Sequence, residues 1–165
     1  MPTTETSKAL ARLFSELVDG AEKRGVNFML NAGDVGLLRS LDRLSAADAS
    51  RSANDGATIA AHALHLQYGL SLMNRWARDG GNPFADATWD EAWKTNRVDA
   101  AQWEDIRSGL RAEAGHWAEV LATPRDCTRA ELCGMIGSVA HLAYHLGAIR
   151  QIATGARGPK DGTFS

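Results

Sequence analysis

The chain has 165 residues, 44% of them hydrophobic and 23% charged, with a formal net charge of -2. That length suits one folded domain rather than two, and the composition excludes wholesale disorder. Signs are mixed along the chain, which leaves no basic stripe for nucleic acid, and neither a cysteine-rich zinc finger nor an RNA-binding signature is present.

The N-terminal stretch from Met1 to Lys8 has no apolar segment after its charges, so no secretory signal is expected. No uninterrupted apolar run approaches the roughly 18 residues of a membrane span, and no crossing is expected. Cys127 and Cys133 are the only cysteines. They read as lying near the start of one helix and facing different directions. Reduced thiols, a structural role for Cys133 and a cytoplasmic location follow as expectations.

Taken in order, residues 6–23 place Leu10, Leu13, Phe14, Leu17 and Val18 at helical spacing, with Thr6 or Ser7 as N-cap and Gly20 or Gly25 near the end. Residues 35–44 give a shorter periodic run. Ser45 then caps a single turn, and Asn54-Asp55-Gly56 reads as a turn in which glycine takes the positive φ. The next long helix covers residues 57–78, with Ile59, Leu66, Leu70, Met73 and Trp76 as its buried stripe, and Gly80 to Pro83 end it. Residues 84–96 form a polar connection whose Trp89 and Trp93, four apart, imply a short helical turn. A third long helix spans residues 99–121 on a stripe of Trp103, Ile106, Leu110, Ala114, Trp117 and Leu121. The fourth covers residues 128–154, and Gly155 and Gly158 close it.

With no convincing β alternation, the fold expected is all-α: a four-helix bundle with short helices in the connections, in a single domain over residues 1–165. Its core would span about 8–154, leaving a tail at 155–165 with little to pack. The fourth helix carries Gly134, Gly137 and Gly147 in its interior. Each costs about 1 kcal/mol relative to alanine, which reflects either close backbone approach to a neighbour or a tolerant composition.

Five histidines are present: His62, His65, His116, His141 and His145. Residues at i and i+4 lie one above the other on a helix, so His141 and His145 aim at one point. His62 and His65 flank the apolar stripe of the second long helix. Inward-facing imidazoles need partners, either ordinary hydrogen bonds or a metal ion. Three neutral imidazoles suit zinc, nickel, iron or copper and leave a coordination position open. His116 falls off its helix's stripe and is expected to face solvent.

The segment Thr58 to Leu66 and the run His141-Leu-Ala-Tyr-His145-Leu-Gly-Ala-Ile-Arg-Gln-Ile resemble the DinB/YfiT-like metalloenzyme family. The run after Leu37 and the Trp89/Trp93 connection fit too, so the resemblance covers roughly residues 8–154. It implies a DinB-like four-helix bundle, often a homodimer, with a divalent metal held by one histidine of the second long helix and the His-x-x-x-His pair of the last. By position the ligands would be His65, His141 and His145, with His62 one turn away as the alternative to His65. Zinc or nickel is the metal implied, with iron as a further candidate.

The resemblance also implies activation of a low-molecular-weight thiol in an S-transferase or isomerase. The alternative is a dimeric, stress-related protein that binds metal or ligand without turnover. No acidic residue lies between His141 and His145, which disfavours the peptidase arrangement with a glutamate base there. Asp34, Asp90, Glu91 and His62 are candidate bases, and Tyr144 would stand at the pocket rim. Neither Asn74 nor Arg150 has a direction that the sequence sets. Arg39, Arg75, Arg78 and Arg150 could form an anion-binding cluster for the carboxylates of a thiol cofactor.

Overall fold

The computed structural model describes residues 4–159, and among them all regular structure is helical. The elements are α1 (Thr4–Asp19), α2 (Gly36–Asp42), α3 (Ala46–Ala49), α4 (Ile59–Asp79), α5 (Ala100–Ala122) and α6 (Arg129–Ile152). Single 3₁₀ turns occur at Ala92–Lys94 and Thr154–Ala156.

The helices start where side-chain oxygens can satisfy their free amides. Ser45 with Asp48, Asp99 with Gln102 and Thr128 with Glu131 form reciprocal capping boxes, and Thr58 caps α4 through the Ala61 amide. Thr6 and Ser7 do not cap α1, which is already helical at Thr4, and Ser7 is buried within it. In the turn before α4 the positive φ values belong to Asn54 (51°) and Asp55 (56°), not to Gly56. Short polar side chains reach the left-handed region at modest cost, so asparagine and aspartate take the work expected of glycine.

The four long helices pack pairwise: α4 on α5 and α6, α1 on α5 and α6, with α2 filling against α1 and α5. One core cluster draws on all six helices. Phe14, Leu110, Trp117 and Leu142 have no exposed surface. Burying a side chain of this size contributes about 1.5–3 kcal/mol, so packing rather than helix propensity holds the elements together. The α5 stripe is buried as the periodicity requires, and so is the α4 stripe.

α4 and α6 run antiparallel. His65 meets His141 at one end, and eleven residues along α4 the Trp76 Nε1–H donates to Glu131 Oε1 at 3.3 Å. α6 is also long and apolar enough to cross a membrane by length and composition, with a mean hydropathy of 1.4. Its inner face, including Met135, Val139, Leu142 and Leu146, is buried in the core.

The segment from Gly20 to Val35 is held by a buried carboxylate. Glu16 Oε1 accepts from the amides of Met29 and Leu30, both at 2.7 Å, and its carboxylate accepts from the Phe28 amide at 3.0 Å. Gly20 (φ 110°) and Gly36 (φ 73°) let the two ends of this segment touch. A Cβ on Gly20 would collide with the Asp34 carbonyl, and one on Gly36 would sit 2.5 Å from the Gly20 nitrogen. The start of the expected tail packs more than expected: Ala156 is buried, and Arg157 Nε donates to the Arg150 carbonyl at 3.1 Å. Residues 160–165 of the expected tail lie outside the described residues.

Candidate metal centre

α4 and α6 each deliver two histidines to the same level of the fold. His65 and His145 are buried, at 7% and 3% exposure, while His62 and His141 are half-buried. His65 Nε2 lies 3.1 Å from His141 Nε2, and His145 Nε2 lies 2.9 Å from that same atom. The ligating atoms of His65, His141 and His145 all fall within 4.8 Å of one another, and the three could hold a metal ion.

His62 takes a different place. Its Nδ1 faces His145 Nδ1 at 2.8 Å, on the side of that ring away from His141. When His145 donates its Nδ1 proton to His62, its Nε2 is left with a lone pair aimed at the other two rings. A metal-ligating histidine is commonly held this way by a partner on its second nitrogen.

A neutral imidazole nitrogen has one in-plane position, holding either a hydrogen or a lone pair. His141 Nε2 faces two other ring nitrogens, so only one contact can be a hydrogen bond. The other is left, at best, as the weak branch of a shared hydrogen. His65 Nδ1 is buried without a hydrogen-bond partner, so the ring's polar contact is made through Nε2. A cation accepting three lone pairs removes the conflict. Ligands about 2.0–2.1 Å from a tetrahedral zinc stand about 3.3–3.4 Å apart, so the two contacts at His141 Nε2 need to spread by only a few tenths of an ångström.

Protonation does not offer the same relief. Burial pushes His145 down to about 3, with the charges of His141, His62 and His65 adding to it. Burial, then His141 and His62, pushes His65 down to about 4. Desolvation also lowers His62 and His141. Near neutral pH the four rings are uncharged, the state in which imidazole is a ligand.

Two tryptophans from the connection close over the rings. Trp93 stacks on His65 with centroids 4.3 Å apart, and Trp89 lies 5.4 Å from the same ring. Trp93 also stands edge-on to His62 at 5.5 Å. The connection is tied to α4 by the Thr88 amide donating to Tyr68 Oη at 2.9 Å and by Arg75 donating to the Pro83 carbonyl at 2.7 Å. Two tryptophans in an otherwise polar stretch are the sequence signal for this cover, although nothing in their spacing says which rings they meet.

The other candidates are dispersed. Asp34 is buried in an ion pair with Arg150 at 2.7 Å, and Asp90 and Glu91 pair with Lys94. Arg75 pairs with Asp86 and Arg78 with Asp79, so with Arg150 committed to Asp34 the expected anion-binding cluster is not assembled at the histidines. Asn74 donates to Glu113. Tyr144 is 71% exposed, with its ring edge-on to His145 at 5.0 Å. His116 is exposed, as its position off the stripe requires.

Cys127 and Cys133 are both free. Cys127 precedes the Thr128 cap rather than lying inside α6, and Cys133 faces solvent, so its thiol has no packing role in the core.

A cavity of about 490 Å³ adjoins the triad, bounded by His65 and His141 at one end. No protein-family model matches the chain, and no curated protein or solved structure is significantly similar to it.

Proposed function

We propose that the chain is a DinB-like, divalent-metal-binding protein in which His65, His141 and His145 hold one zinc or nickel ion, with iron as a further candidate. The carrying observation is the convergence of three neutral ring nitrogens that cannot all satisfy one another. The four long helices then make a four-helix bundle around the ion, in a single domain. His62 orients His145, and Trp89 and Trp93 limit water at the rings. A bound ion with three protein ligands would act as a Lewis acid and lower the pKa of a thiol or water.

The resemblance to thiol-dependent S-transferases supports a metal-dependent enzyme acting on small molecules, and so does the cavity beside two of the three ligands. A second reading has its own support. Asp34, Asp90 and Glu91 are engaged in ion pairs away from the rings. That favours a metal- or ligand-binding, stress-related protein without turnover.

Homodimer formation is supported by α6, whose sequence has no Asp, Glu, Lys or Arg between Glu131 and Arg150 and whose outer face exposes Ile136 and Tyr144. The free thiols fit a cytoplasmic, reducing location.

The experiment that separates enzyme from binder follows thiol consumption by metal-loaded protein against a panel of electrophiles, with and without chelator. Turnover that chelator abolishes supports the enzyme. Stoichiometric metal with no thiol consumption sinks it.

A further inference from the structure

We propose that the cavity beside the triad is a binding site for a small, uncharged, largely aromatic molecule whose one polar end meets the His65 and His141 rings. The assignment deepens the metal-centre reading, because the cavity opens on two of the three ligands. Its test is readable without metal.

The cavity lies between α4, α6 and the connection after α4, and its volume of about 490 Å³ is that of a small-molecule site. Leu66, Leu70 and Met73 supply the α4 wall. Phe84 and Trp89 supply the cover, with centroids 5.9 Å apart and planes inclined by 32°, which presents aromatic surface to a guest. Along α6 the wall is Gly134, Gly137 and Ser138.

Those glycines are not there to let backbones touch. A Cβ on Gly134 would sit 3.6 Å from Met73 Cε, one on Gly69 would lie 3.8 Å from Trp89, and one on Gly137 would meet nothing within 4 Å. Alanine would fit at each without collision and would favour the helix. What a larger side chain would take away is cavity.

The lining also says what cannot enter. Among its residues there is no Asp, Glu, Lys or Arg. Its one hydroxyl is committed: Ser138 Oγ accepts from Trp117 Nε1 at 2.8 Å and donates to the Met135 carbonyl at 2.7 Å. An ionised group buried there would lose its hydration and find no partner beyond the histidine end. A second cavity of about 280 Å³ shares Met73, Phe84 and Gly134 and continues toward Trp76 and Glu131. The two lie side by side along α4 from His65 to Trp76, about 16 Å at 1.5 Å per residue.

The test is titration of full-length protein, both chelator-treated and zinc-loaded, with 2-naphthylmethanol and with 2-naphthoate, read by tryptophan fluorescence and calorimetry. Metal content is measured on the same samples. Saturable one-to-one binding of the alcohol is expected in both forms, and at least tenfold weaker binding of the carboxylate to metal-free protein. Gly134→Leu is expected to weaken the alcohol at least tenfold while keeping metal content and circular dichroism. Met73→Trp is the second variant should Gly134→Leu not fold. Equal affinity in wild type and the filled variant, or no saturable binding, overturns the proposal. Binding that persists and is blocked by Gly134→Leu in a protein that takes no metal would sink the metal reading alone.

Discussion

Glu16 shows how much one side chain can organise. It has no exposed surface, and burial on its own would raise its pKa; the amides of Phe28, Met29 and Leu30 and the Arg12 guanidinium outweigh that and hold it below the usual range. A depressed folded pKa means stability that is present above the unfolded value, about 4.3, and is lost as pH falls through the folded one. Glu16→Gln should cost about 2–3 kcal/mol near neutral pH, since the charge-assisted bonds weaken and an amide nitrogen in place of Oε2 would face the Phe28 N–H. Urea denaturation should show the gap between wild type and variant narrowing below about pH 4, and a gap independent of pH would contradict this role. The sequence gives no hint of it. The partners are backbone amides twelve to fourteen residues on, and nothing in the spacing of side chains encodes them. The histidines stand between legible and hidden. Four-residue spacing pairs His141 with His145, but His62 and His65 share a face, and only the register of α4 against α6 brings His65 to the centre and sets His62 on the far side of His145.

At the scale of elements, helix stripes were readable because burial on one face imposes a period of 3.6, and the α5 stripe shows it without exception. Glycines were less readable, since composition does not separate a backbone requirement from spare space. Gly36 is required: its φ is 73° and a Cβ would lie 2.5 Å from the Gly20 nitrogen, so Gly36→Ala should destabilise by more than about 2 kcal/mol. Gly115 in α5 has nothing within 4 Å of a built Cβ, and Gly115→Ala should stabilise by about 0.5–1 kcal/mol. Thermal and chemical denaturation of the two variants should move in opposite directions; movement in the same direction would contradict the distinction.

At the scale of the whole molecule, α6 has two faces with different work. Its inner side carries His145 among Leu142, Leu146 and Ile149, and its outer side exposes Ile136 at 51% and Tyr144 at 71%. If that outer face joins two copies, wild-type protein sediments as a dimer at micromolar concentration and Ile136→Glu sediments as a monomer with unchanged helix content. A monomeric wild type would remove the homodimer. Metal content measures the proposed centre most directly. Full-length protein and the alanine variants of His62, His65, His141 and His145 would be loaded with zinc or nickel, dialysed and analysed by plasma mass spectrometry, with circular dichroism as the folding control. One ion per chain is expected in wild type, none in the folded His65, His141 and His145 variants, and one ion held about 10–100-fold more weakly in the His62 variant. A wild type that takes no metal would contradict a centre built on these three rings, and so would a His65→Ala variant that keeps its ion while His62→Ala loses it.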